Sequence, residues 1–99
     1  QFTDCQLNLS SFYQLKIPNT PFVKCNLEEV DFAETILANA LFDQSDLKNA
    51  IFDRTNLEKA DFRTAYNFNI NPEENKLKGA RFSRNNIDGL LIDSGVLLE

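Results

Sequence analysis

From Phe2 to Phe62 every fifth residue is large and apolar: Phe2, Leu7, Phe12, Ile17, Phe22, Leu27, Phe32, Leu37, Phe42, Leu47, Phe52, Leu57 and Phe62. The slot two residues before the large one is small in nearly every pentad, from Cys5 and Ser10 to Ala60, and Ala65 continues the series; only Leu15 is bulky. An amphipathic helix spaces its apolar residues 3.6 apart on average, so a strict five-residue period winds around a helix surface and forms no stripe. Helix is excluded for residues 2–65. A separation of two places the small and the large slot on one face of a short extended segment. The other three slots, polar in most pentads, must turn the chain before the next pair points inward. Turning repeatedly in one sense gives a coil whose rungs lie about 4.8 Å apart and are joined by backbone hydrogen bonds. Phe recurs at every tenth position with Leu or Ile between, so like stacks on like only if the coil has an even number of sides. Two, four and six sides all meet that condition.

Pentads such as Ala60-Asp61-Phe62-Arg63-Thr64, Cys25-Asn26-Leu27-Glu28-Glu29 and Ser45-Asp46-Leu47-Lys48-Asn49 resemble the A-(D/N)-(L/F)-x-x signature of the pentapeptide-repeat family. The resemblance covers about two thirds of the chain in thirteen unbroken repeats. It implies an all-β fold, a right-handed quadrilateral (four-sided) parallel β-helix with twenty residues per coil. Phe2, Phe22, Phe42 and Phe62 then form a buried core ladder on one side, and Phe12, Phe32 and Phe52 one on the opposite side. With that coil length Cys5 and Cys25 share an inward slot about 5 Å apart, within disulfide reach. That slot selects small residues, and the expectation is two buried free thiols.

The pattern stops after Ala65, because Asn67 and Pro72 stand where apolar residues are due. Three stretches follow: repeats over 1–65, a loop excursion over 66–76, and final repeats with a closing segment over 77–99. Within the excursion, Asn71-Pro72-Glu73-Glu74 offers a cap, a proline at the first helical position and acids in the first turn, which predicts a short helical turn. Phase returns at Leu77, Ala80 and Phe82. Ile87, Leu90 and Leu91 are spaced i, i+3, i+4 behind Ser83, predicting a short C-terminal helix from about Arg84 to Asp93 that Gly95 ends. Val96, Leu97 and Leu98 form a last apolar segment. This ending resembles the C-terminus of the quinolone-resistance (Qnr), MfpA and McbG group, which implies a homodimer through Ile87, Leu90, Leu91, Val96, Leu97 and Leu98; the other reading is a cap on the last rung.

The composition narrows the chemistry. The chain of 99 residues, one domain in size, has nine Phe and no Trp, Met or His. Without His there is no imidazole base or ligand, and the inward Ser and Thr have nothing beside them to activate an oxygen. No catalytic, cofactor or metal site is expected, and the chain does not read as an enzyme. A formal charge of −5 disfavours direct binding to nucleic acid and points to a basic protein partner. No apolar run is long enough to span a bilayer and no basic-then-apolar leader stands at the start, so no membrane association is expected. Two cysteines without metal spacing fit a cytoplasmic protein. Gln1 falls in mid-pattern, as in a piece of a longer chain that has more repeats before it.

The outward slots carry the remaining signal. In a four-sided coil Asp31, Glu34 and Asp53 share one side, and Glu28, Glu29 and Asp46 share its neighbour, although Lys48 and Arg54 interrupt both. These six acids are the candidate partner surface. Ile36, Leu41 and Ile51 are apolar outward slots on three different sides. Two functions compete: a non-enzymatic interaction module with an unassigned partner, or, by the Qnr and MfpA resemblance, a DNA mimic that binds DNA gyrase or topoisomerase IV and protects it from inhibitors.

Overall fold

The computed structural model describes residues 1–87. Its bridges join residues twenty apart in parallel: Gln6 to Asn26, Asn26 to Asp46, and Asp46 to Tyr66. Four pentads therefore make one coil, and of the even numbers that stacking allows the chain takes four. The fold is a right-handed four-sided parallel β-helix. Three short strands, β1 (Phe2–Thr3), β2 (Pro21–Val23) and β3 (Leu41–Asp43), pair in the order β1-β2-β3, with Phe2 opposite Phe22 and Phe22 opposite Phe42. Isolated bridges hold the other walls. Side 1 carries Phe2, Phe22, Phe42, Phe62 and Phe82; side 2 carries Leu7, Leu27 and Leu47; side 3 carries Phe12, Phe32 and Phe52; side 4 carries Ile17, Leu37, Leu57 and Leu77.

Because each ring sits one rung above the next, the Phe ladders stack at the rung spacing. Phe22 and Phe42 are 5.2 Å apart and inclined by 2°, and Phe32 and Phe52 are 5.3 Å apart at 14°. Rings on sides 1 and 3 meet edge to face across the interior, as Phe42 and Phe52 do at 6.3 Å and 89°. Both arrangements suit the ring quadrupole. Phe22, Phe32, Phe42, Phe52 and Phe62 are buried. Phe2 and Phe12 are only partly buried, short of the full burial expected of the ladder; among the described residues each stacks on a single ring, Phe22 or Phe32.

The last slot of each pentad turns the corner in a left-handed conformation. From Asp4 to Lys59 every fifth residue has φ between 52° and 67°, and most are not residues that favour it: Leu9, Gln14, Lys24, Glu29, Glu34, Gln44, Arg54 and Lys59. Each such residue costs on the order of 1–2 kcal/mol. The wall holds them because the same corner donates a bond to the next coil, as Glu29 N–H does to the Lys48 carbonyl (2.9 Å). In the fourth coil Gly79 takes this place with φ 76°, and a Cβ there would come within 3.1 Å of Lys59 Cγ.

Where the pattern breaks, the interior is filled by other residues. Asn67 and Pro72 are exposed, while Phe68 and Ile70 are buried. Phe68 lies 5.5 Å from both Phe62 and Phe82, replacing the missing large residue from one position further along. Asn71 starts a single short turn and caps it: its Oδ1 accepts the Glu73 N–H (2.9 Å) and its carbonyl the Glu74 N–H (3.2 Å). By Glu74 the chain is again in the wall, its carbonyl accepting the Arg54 N–H at 2.8 Å. After Phe82 the chain turns at 84–86. The expected helix lies mostly, and Val96, Leu97 and Leu98 lie wholly, outside the described residues, as do Leu90 and Leu91; Ile87 is partly buried.

Candidate functional site

The coil register distributes charge unevenly around the rod. Side 3 carries Asp31, Glu34, Asp53, Glu73 and Glu74 against Arg54; side 2 carries Glu28, Glu29 and Asp46 against Lys48. Side 4 is basic, with Lys16, Lys59, Lys76 and Lys78 against Glu58. Side 1 mixes Lys24, Arg63, Arg81 and Arg84 with Asp4, Asp43 and Asp61. Two adjacent sides are therefore acidic, and the other two are not.

The six candidate acids all lie on those two sides, but the wall uses several of them. Asp31 accepts the Ala33 N–H (2.8 Å), and Asp46 accepts the Lys48 N–H and the Asn67 amide, each at 3.0 Å. These Asx turns stiffen the corner and leave one oxygen of each carboxylate for outside contact. Glu34 accepts from Tyr13 Oη (3.2 Å) and lies 3.4 Å from Arg54, which also lies 3.8 Å from Asp53. The bond to Glu34 raises the Tyr13 phenol above its ordinary pKa. Glu28 is half-buried, and Glu29 is exposed at a left-handed corner. Among the described residues, four of the five exposed large apolar side chains belong to the same two sides: Leu9 and Tyr66 on side 2, Tyr13 and Ile51 on side 3. Ile36 and Leu41, also singled out in the sequence, are half-buried on sides 4 and 1.

On side 1 Asp61, Arg63 and both thiols bond within the rod. Arg63 grips Asp61 through Nε (3.1 Å) and Nη2 (2.8 Å), which lowers the Asp61 carboxyl and raises the guanidinium. Cys5 is half-buried and Cys25 buried, both as free thiols; burial pushes the Cys25 thiol up, and its Sγ faces the Phe2 carbonyl at 3.3 Å. No group of three His, Cys, Asp or Glu able to hold a metal occurs among the described residues. No described helix is long and apolar enough to cross a membrane.

Two asparagines escaped the reading of the sequence. Asn75 spans coils, accepting the Thr55 N–H (2.9 Å) and donating to the Phe52 carbonyl (3.1 Å) and the Asn71 carbonyl (2.9 Å). Asn86 accepts the Ser83 N–H (3.0 Å) and donates to the carbonyls of Phe62 (2.8 Å) and Ala65 (3.1 Å). Asn75 occupies a small inward slot, and a polar amide there was the available signal.

The model of the pentapeptide repeat region matches residues 1–92. The chain belongs to the pentapeptide-repeat family. Among solved structures similar to this pentapeptide-repeat protein, Rfr23 from the cyanobacterium Cyanothece 51142 is 29% identical over 85% of this chain and 60% of its own, with a TM-score of 0.44. A trypsin-treated form of QnrB1, a plasmid-mediated fluoroquinolone resistance protein, is 12% identical over 96% of this chain and 66% of its own, with a TM-score of 0.41. A pentapeptide repeat protein of the Arabidopsis thaliana thylakoid lumen is 18% identical over 77% and 60%, with a TM-score of 0.34. The chain thus spans 60% of the length of Rfr23. Among curated proteins none matches significantly.

Proposed function

We propose that the chain is a non-enzymatic interaction module whose sides 2 and 3 dock a basic protein surface. The observation that carries this reading is the coincidence, on two adjacent sides, of the candidate acids with exposed Leu9, Tyr13, Ile51 and Tyr66. Aromatic and aliphatic anchors inside a charged rim are how interfaces concentrate binding energy, while the charges steer encounter. The rigid coil keeps the groups at fixed rungs, so little ordering entropy is lost on docking.

The narrower form of this proposal makes the partner a type II topoisomerase and the acidic sides a mimic of DNA, with a homodimer through the segment from Arg84 to Leu98 lengthening the rod. Charge density limits it. Over four rungs, roughly 19 Å, duplex DNA carries about eleven charges. Sides 2 and 3 hold eight acids against Lys48 and Arg54 over that length. Such a surface competes for a groove that reads partial charge and shape, but weakly for one that demands a full phosphate row.

A gyrase supercoiling assay with and without a fluoroquinolone separates the two. In the narrower form the purified protein inhibits supercoiling or protects against the drug at micromolar concentration, and neutralising Glu28, Glu29, Asp31, Glu34, Asp46 and Asp53 to Gln or Asn abolishes the effect. No effect of the parent protein removes the topoisomerase and leaves a different basic partner for the same surface.

A further inference from the structure

The most acidic and the most basic sides are neighbours, meeting along the edge where Gln14, Glu34, Arg54 and Glu74 give way to Lys16, Ile36, Asn56 and Lys76. If side 3 of one rod lies flat on side 4 of a second, the second is turned by a right angle about the rod axis. Four such turns close a ring with this edge at its centre. A heterologous contact whose rotation closes gives a cyclic oligomer instead of a filament.

A ring of this symmetry has no axial shift, so each coil opposes the same coil of its neighbour. In the fourth coil Glu74 then meets Lys76 and Glu73 meets Lys78, four exposed side chains that form no ion pair among the described residues. In the third coil exposed Ile51 meets the aliphatic stem of Lys59, and in the first Tyr13 meets Pro18. One opposition is unfavourable, Asp53 against Glu58, and Arg54 lies beside it. In the second coil Glu34 faces Ile36 and Asp31 faces Asn39, so neither acid meets an opposite charge. A second copy has the same rung pitch and so matches all these levels at once. The net charge of −5 does not forbid it, because at about 0.15 M salt screening over roughly 8 Å lets each side see mainly the side it faces.

We propose that the chain associates with copies of itself as a four-membered ring, side 3 on side 4, held by Glu73 and Glu74 against Lys76 and Lys78. The contact is distinct from a dimer through the C-terminal segment and leaves side 2 open. Light scattering with size exclusion on the whole chain at 50 mM and 500 mM NaCl tests it. The expected result is a fourfold fall in mass between the two salts. Lys76→Glu with Lys78→Glu, or Glu73→Lys with Glu74→Lys, abolishes the low-salt form, and the variant with all four exchanges restores it. Glu58→Lys, which removes the one like-charged opposition, shifts dissociation to higher salt. A mass that is the same at both salts, a twofold change, or a four-exchange variant that does not reassociate overturns the ring. The ring covers side 3 and excludes a partner from it, so the supercoiling assay is repeated with the Lys76→Glu, Lys78→Glu variant, which does not assemble; failure of that assay leaves the ring standing.

Discussion

The turns that follow Leu and those that follow Phe look alike in the sequence and are built differently. After Leu the backbone closes on itself: the N–H of Val30, Ala40, Ala50 or Ala60 reaches the carbonyl of Leu27, Leu37, Leu47 or Leu57 at 3.0–3.2 Å. After Phe the carbonyl takes a side chain from the next coil instead of, or in addition to, that bond. Thr35 Oγ1 donates to Phe12 (2.7 Å), Ser45 Oγ to Phe22 (3.1 Å), Thr55 Oγ1 to Phe32 (2.8 Å) and Asn75 Nδ2 to Phe52 (3.1 Å). At Cys25 and Thr55 the N–H that would close the turn goes to Ser45 Oγ (3.2 Å) and to Asn75 Oδ1 (2.9 Å). One small slot thus serves two purposes. Beyond the first coil it is Ala, or Val30, after Leu, and after Phe mostly a residue that reaches back across the coil.

The largest effect should come from the ladder itself. Phe42→Ala removes a ring stacked on Phe22 at 5.2 Å and Phe62 at 4.9 Å, and should cost about 3–5 kcal/mol in urea unfolding. A loss under about 1 kcal/mol would mean that the ladder is not the core. Asn75→Ala comes next, at about 2–3 kcal/mol, because it strips both the Thr55 N–H and the Phe52 carbonyl of their partner in one change. Thr55→Val keeps the shape and deletes one donor, for about 1–2 kcal/mol. The matching change on a Leu turn is Ala60→Ser, which buries a hydroxyl beside a carbonyl already bonded and should also lower stability. Should Thr55→Val prove neutral, the two kinds of turn are equivalent energetically and the comparison has no force.

How much of this the residues announce depends on what enforces it. The five-residue period is a burial pattern, so the coil, the inward slots and the stacked Phe ladders are legible directly, while the number of sides needed either the family resemblance or the twenty-residue bridges. The left-handed corners were not legible, since Leu9, Lys24 and Arg54 carry no conformational preference for them and are held there by the wall. Phe68 escaped because it fills the core one residue out of phase, a substitution that only three-dimensional packing permits. The acids of sides 2 and 3 were legible as a surface, but their Asx and Arg54 engagements, and the basic character of side 4, appear only when coils are stacked.

One position lets the comparison be tested by gain instead of loss. Ala65 follows Phe62 and stands one coil beyond Ser45, in the column where Ser45 itself serves Cys25 and Phe22, but it has no hydroxyl to offer the Ser45 N–H and the Phe42 carbonyl. Ala65→Ser adds one oxygen at a site where the column already accommodates a serine, so little repacking is required. The new hydroxyl should accept from Ser45 and donate to Phe42, raising stability by about 1 kcal/mol, since a satisfied buried hydrogen bond contributes roughly that much. Ala65→Val is the control, adding volume without a donor, and should not stabilise. If serine and valine change the urea midpoint alike, packing rather than hydrogen bonding governs the slot, and the polar residues after Phe need another cause. If serine alone raises it, the chain has left one of its Phe turns unfinished, and the distinction between the two kinds of turn holds at a site the sequence did not use.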